Sequence, residues 1–253
     1  MPSIFEERVA GHGIPTVFLH GAGHNAAVWD GLRACLSPED GECIFLDLPG
    51  HGRSAPLESY ALGGQAAVLA EILPPDIHLV GHSLGGALGL LLASRLFGAR
   101  VVSLFIIGLK VVWTDEERAR MSRIYPVKPF ARREDAAERL LRLSGLQTLI
   151  GPEHRFIDLG LSRSDDAYRL AADPRAALAA LTPIEPVLAL RSTSDTPICF
   201  ANGSEDEIAP LSPALKLSPD LVILNNCGHS AHVENPIYVM NAYRLFRSTL
   251  PRE

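Results

Sequence analysis

Six short, nearly continuous apolar runs recur along the chain: TVFL at 16–19, CIFLD at 43–47, IHLVG at 77–81, VVSLFII at 101–107, PICFA at 197–201 and LVIL at 221–224. Runs of this length without polar alternation suit strands buried on both faces, as in a parallel sheet covered by helices above and below. Helical patterns fill the intervals, so the order of elements predicts an α/β fold with a mostly parallel central sheet and helices on both faces.

From about Lys110 to Arg191 the pattern changes, with no strand-like run and several helix signals. Thr114 followed by Glu117 fits a capping box, Gly145 fits a helix end, and Asp173-Pro174 fits an N-cap with proline at the first helical position. Ala136 to Leu143 and Ala176 to Leu181 gather apolar residues on one helical face, which must cover something apolar. The expected organisation is a core domain over 1–109, a helical cap or lid over 110–191 inserted between strands, and the rest of the core over 192–253. The plainer alternative is that these helices only complete the core.

Composition narrows the partners. At 253 residues, 47% hydrophobic and 21% charged, the chain reads as one folded domain rather than a disordered one. A formal net charge of −6, with no local lysine- or arginine-rich run, argues against nucleic acid and anionic membrane surfaces. There is no leader-like start and no apolar window long enough to span a bilayer, so the expectation is a cytoplasmic protein without membrane insertion. Cys35, Cys43, Cys199 and Cys227 lack CxxC spacing and read as free thiols rather than a disulfide framework. A homodimer is left open.

The chemistry concentrates at Gly81-His82-Ser83-Leu84-Gly85, which directly follows a strand-like run and directly precedes a helical one. A sharp strand-to-helix turn strains the central residue, and glycine two positions to either side leaves room for it. The turn would lift the Ser83 hydroxyl above the sheet edge, with the helix dipole favouring negative charge nearby. A serine hydroxyl also needs a base, and His229, in a loop after the last strand, is the candidate ahead of His232. The base needs an acceptor, and Asp206, just past the fifth run, fits better than Asp195, which precedes that run and should lie at the wrong end of the sheet.

With His20-Gly21-Ala22-Gly23, Asp47-Leu48-Pro49-Gly50-His51-Gly52-Arg53-Ser54, Gly203-Ser204-Glu205-Asp206 and Cys227 through Pro236 in the same order, the chain resembles the α/β-hydrolase superfamily, specifically its lid-bearing esterase and lipase-like branch. That resemblance implies a cofactor-free serine hydrolase with Ser83, Asp206 and His229 as triad, and an oxyanion hole made by the backbone N–H groups of Ala22 and Leu84. His20, His82 and Trp113 are candidate pocket residues, His20 with a structural hydrogen-bonding role under its turn as the stronger reading. Relatives that cleave carbon–halogen bonds or epoxides carry aspartate at the elbow, and the serine here argues against those reactions. The expected substrate is a small hydrophobic acyl compound: a carboxylic ester first, with lactone, thioester, carbon–carbon bond and perhydrolysis chemistry as alternatives on the same triad.

Two other classes compete. Gly21-Ala22-Gly23-His24-Asn25-Ala26, with Asp47 ending the next strand, looks like a GxGxxA dinucleotide fingerprint, the mark of a nicotinamide-dependent oxidoreductase. It leaves Ser83 and the His229 segment unexplained. A ligand-binding protein of the same fold without turnover is the other, disfavoured because all three triad candidates are present. His20 and His24, four apart with no completing cluster in sequence, give little reason to expect a metal.

Overall fold

The computed structural model describes residues 2–124, 128–164 and 166–251. In chain order the strands are β1 (Glu6–Val9), β2 (Thr16–Leu19), β3 (Cys43–Leu46), β4 (Asp76–His82), β5 (Arg100–Ile107), β6 (Leu161–Ser164), β7 (Ala167–Leu170), β8 (Ile198–Gly203) and β9 (Val222–Leu224). The α-helices are α1 (Asp30–Arg33), α2 (Leu62–Ile72), α3 (Leu84–Ala93), α4 (Asp115–Ile124), α5 (Arg133–Ser144), α6 (Arg155–Gly160), α7 (Pro174–Leu178), α8 (Glu185–Ala189), α9 (Leu211–Leu217), α10 (Ala231–Glu234) and α11 (Pro236–Ser248). Seven strands form one sheet in the order β1-β3-β2-β4-β5-β8-β9, parallel except for β1.

All six apolar runs are strands of this sheet, and their alternate residues divide between two cores. Val17, Leu19, Ile44, Leu46, Leu79, Leu104 and Ile106 face one layer with α2 and α3. Phe18, Phe45, Val80, Phe105 and Ile107 face the other, where Trp29, Met240 and Tyr243 close over them. Each fully buried large side chain contributes about 1.5–3 kcal/mol, enough for the sheet interior to dominate stability.

β1 has no apolar run. Its EERV residues alternate in exposure and pair antiparallel with β3 at the sheet edge, where charged side chains are tolerated and protect against edge-to-edge association.

In the segment 110–191 the three helix signals have their expected geometry. Thr114 and Glu117 exchange hydrogen bonds at 2.9 and 3.2 Å, Gly145 ends α5 in the left-handed region, and Asp173 caps α7 through Arg175 N–H. The expectation of a purely helical segment needs correction, since β6 and β7 form an antiparallel hairpin in register Leu161↔Leu170. Its strands, LSRS and AYRL, are short and largely exposed, so no apolar run announces them. The segment is also rooted in the core: Leu140, Phe156 and Ile157 join one layer, and Ala176, Ile184 and Val187 the other. Among the described residues no helix is long and apolar enough to cross a membrane. The four cysteines are free.

Candidate active site

The sheet order decides where chemistry can gather. β3 and β4 flank β2 on opposite sides, so the chain changes direction there and the loops leaving the carboxyl ends of β2 and β4 diverge, opening the crevice where α/β sheets hold ligands. The loops after β2, β4, β5, β8 and β9 all lie along this edge.

Ser83 sits between β4 and α3 at φ 50° and ψ −111°, a region costly for a residue with a β-carbon. The fold holds it there: Ser83 N–H donates to Ile107 O at 2.9 Å, and its own carbonyl accepts from Gly86 N–H at 2.9 Å and Ala87 N–H at 3.1 Å. A β-carbon at Gly81 would stand 2.5 Å from Gly85 O, and one at Gly85 only 2.1 Å from Leu19 O. Only glycine fits either place, which is the physical content of the GxSxG spacing. Leu84, as first residue of α3, has an N–H with no intrahelical acceptor.

The turn after β2 lies against this elbow, a β-carbon at Gly21 being 3.5 Å from Ser83 Cβ. Two buried imidazoles shape it. His20 Nδ1–H donates to Gly21 O at 2.8 Å while Nε2 accepts Leu48 N–H at 3.0 Å. His51 Nδ1–H donates to Pro49 O at 3.1 Å while Nε2 accepts Gly23 N–H at 3.1 Å. Burial pushes His20 well below the usual histidine range and His51 down to about 4, so both serve as fixed hydrogen-bond bridges. Asp47, wholly buried, accepts from Ala26 N–H at 2.6 Å, Arg53 N–H at 2.8 Å and Arg53 Nε at 3.2 Å. These contacts overturn the dinucleotide reading. The carboxylate expected to meet a ribose is consumed inside the protein, and the glycine-rich stretch enters a short 3₁₀ turn, Ala26–Trp29, rather than a long helix.

On the far side, His229 Nδ1 donates to Asp206 Oδ2 at 2.9 Å. Asp206 Oδ1 accepts Ile208 N–H at 2.9 Å and Ala209 N–H at 2.7 Å, which fixes the carboxylate's direction. The two loops are knitted by their backbones: Ser204 N–H donates to Leu224 O at 3.0 Å and Glu205 N–H to Cys227 O at 2.9 Å. Gly203 permits this approach, since a β-carbon there would meet Cys227 O at 2.2 Å. Just past β5, Gly108 at φ 62° gives the His229 ring its seat, a β-carbon at that position being 3.2 Å from Nδ1. Ser83, the seat of His229, and Asp206 thus follow three adjacent strands, β4, β5 and β8. Asp195 lies beyond the other end of β8, in a separate cleft with Val102 and Arg247.

Beside Ser83 is a narrow cavity with about 20 Å³ of free space, walled by Leu84, Leu109, Lys110, Trp113, Ala180 and Ile184. That is room for about one water. Trp113 lines it, whereas His20 and His82 are buried behind the turn and the elbow. Lys110 escaped the sequence reading because a lone lysine after an apolar run carries no motif. Its buried ammonium donates to Glu117 at 2.6 Å and to Ile208 O at 2.8 Å, and sits 4.5 Å over the Trp113 ring. It ties the inserted segment to the Asp206 loop. Glu234, which accepts Gly228 N–H at 2.6 Å and so braces the residue before His229, escaped in the same way.

His82 donates Nε2–H to His229 O at 3.0 Å. Its ring, with those of His24 and His232, forms a buried cluster under the site, and burial pushes His24 down to about 4 and the other two well below the usual range. His232 is fully buried, with its ring 4.5 Å from Trp29, and so takes no place beside Ser83.

Residues 16–242 match the model of the alpha/beta hydrolase family. A pimeloyl-[acyl-carrier protein] methyl ester esterase from Nitrosomonas europaea is 28% identical over 262 aligned positions, covering 93% of this chain and 96% of that protein. One of the same name from Aeromonas hydrophila is 44% identical over 89 positions, covering 34% of this chain and 33% of its own. Among solved structures, E-2-(acetamidomethylene)succinate hydrolase superposes with a TM-score of 0.78 at 21% identity, covering 98% of this chain and all of that one. An esterase from Mycobacterium tuberculosis gives 0.73 at 20%, covering 98% and 92%. At these identities the structural likeness speaks for the fold.

Proposed function

The chain belongs to the alpha/beta hydrolase family, and on that premise we propose that it hydrolyses a carboxylic ester through an acyl-enzyme on Ser83. The observation that carries this reading is the strained Ser83 turn at one end of a line of adjacent strands whose other loops hold the His229–Asp206 pair. Because Asp206 accepts from Nδ1, the remaining nitrogen of His229 is the one free to take the serine proton. Ser83 Oγ attacks the acyl carbonyl, and the oxyanion is held by the N–H groups of Leu84 and Ala22. His229 then protonates the departing alcohol and activates the water that releases the acid. Two such donors supply on the order of 3–4 kcal/mol each to the transition state.

The narrow cavity favours a small group on that side of the ester. The names of the relatives, pimeloyl-[acyl-carrier protein] methyl ester esterases, support a methyl or similarly small alcohol as leaving group. The test is fluorophosphonate labelling followed by peptide mass spectrometry, with a panel of methyl esters, longer alkyl esters, lactones and thioesters. A label on the Ser83 peptide and turnover fastest on methyl esters is expected. Labelling elsewhere, or undiminished turnover by Ser83→Ala, rejects the mechanism.

A further inference from the structure

Beneath the elbow, three imidazoles meet with their bonding capacity unspent. His24, His82 and His232 each offer a ring nitrogen within 4.8 Å of the others', and all three residues are buried. His24 Nε2 contacts Ser144 O at 3.0 Å and His82 Nε2 contacts His229 O at 3.0 Å. A carbonyl only accepts, so in both rings Nε2 carries the proton and Nδ1 is left as a bare lone pair. Neither Nδ1 has a hydrogen-bond partner among the described residues, and neither nitrogen of His232 has one. Buried polar atoms are almost always satisfied, and each one left bare costs about 1–3 kcal/mol. Two of the three rings thus turn a lone pair inward, and either tautomer of His232 offers one more, so the cluster can give three nitrogen donors to a single electron-pair acceptor.

We propose that His24, His82 and His232 form a binding site for a zinc-class divalent cation, each ring giving one nitrogen and a water completing a tetrahedron. Imidazole nitrogen is the donor that suits zinc, copper, nickel and cobalt, and the carbonyls on the opposite nitrogens of His24 and His82 are the usual outer support of such ligands. Zinc–nitrogen bonds of about 2.0 Å in a tetrahedron place the ring centroids about 5 Å apart. The observed centroid separations are 4.4, 5.5 and 6.4 Å, each within about 1.4 Å of that spacing, and the His24 and His82 rings, 14° from parallel, must turn about their side-chain bonds to aim both Nδ1 at one point. The three ligands come from three separate segments: His24 from the turn after β2, His82 from the end of β4 beside the elbow, and His232 from α10, just after His229. A bound cation would pin together the segments that carry the oxyanion turn, the serine and the base, without touching substrate.

The experiment is calorimetric titration of the chelator-treated full-length protein with zinc chloride, repeated with cobalt(II) while recording visible absorption. One cation per chain is expected, with the intense bands of tetrahedral cobalt and a melting temperature raised by roughly 5–10 °C at about 100 times Kd. His24→Gln and His232→Gln should each weaken binding at least about 100-fold with the circular dichroism spectrum retained. Should either variant fail to fold, anomalous diffraction at the zinc edge from wild-type crystals decides: density among the three rings supports the site. Absent saturable binding, unchanged affinity in folded variants, or anomalous density only elsewhere overturns it. None of these readings depends on turnover, so failure of the esterase assignment leaves this result standing.

Discussion

The rim of the core and the inserted segment are held by different kinds of force. At the rim, loops are locked by buried, directional bonds: His20 and His51 brace one turn, Asp47 another, Asp206 a third, and Gly203 and Gly108 allow backbones and rings to approach to contact. Apart from the buried Lys110 ammonium and the hydrogen bonds that His24 and Asn25 give to Ser144 O and Phe156 O, the segment from 110 to 191 rests on apolar helix faces, helix caps and half-exposed ion pairs such as those of Arg155 with Glu7 and Asp30. Directional bonds fix positions to fractions of an ångström, as catalysis demands, whereas apolar faces accept repacking at modest cost. On the proposed function, this contrast assigns chemistry to the rim and substrate choice to the insertion.

The largest effect expected from this contrast is kinetic. Asp206→Asn, which deprives His229 of its acceptor, should lower kcat by about 10⁴ while the circular dichroism spectrum stays unchanged; steady-state rates on a methyl ester measure it. In the insertion, Trp113→Ala should leave kcat within about tenfold and act mainly on KM, as a wall of the cavity does. Equal losses from both would erase the distinction.

Stability comes next. Asp47→Ala strands two backbone N–H groups and part of Arg53, and should cost about 3 kcal/mol in urea denaturation. Asp173→Ala, which removes the cap of α7 and the hydrogen bond from Tyr60, should cost about 1 kcal/mol.

Acid should reach the rim first. His51 has a folded-state pKa near 4, below the ordinary 6.5, so under pH 6.5 the unfolded chain takes up a proton that the folded one refuses. Its stability contribution is complete above pH 6.5 and is lost as pH falls through 4, by on the order of 2–3 kcal/mol for this one group. His51→Gln should flatten the slope of unfolding free energy against pH over that window. Smallest of all, Thr114→Ala should cost roughly 0.5–1 kcal/mol, because the capping box of α4 is exposed.

How much of this was legible without coordinates depends on the range of the interaction. Strands β2, β3, β4, β5, β8 and β9 were readable because burial on both faces demands apolar residues within one short window. The helix signals at Thr114, Gly145 and Asp173 were readable because caps join residues two to four positions apart. β1 and the β6–β7 hairpin were not, since edge and surface strands owe their pairing to a partner rather than to their own composition. The GxSxG spacing announced the Ser83 turn because the clash that selects glycine at Gly81 is local, with Gly85 O, whereas the one at Gly85 is with Leu19 O on β2 and shows only in the fold.

What the chain by itself determined, then, is its layered α/β order and the place of the tight turn at Ser83, since both are written in short windows of sequence, apolar runs for the one and glycines two residues either side of the serine for the other. Only the tertiary structure decided that Asp47 is spent inside the core, that Lys110 joins the insertion to the Asp206 loop, and that His24, His82 and His232 meet. Those residues stand far apart in sequence, and neither hydrogen bonding nor ligation leaves a periodic trace when its partners are brought together solely by the crossing of strands.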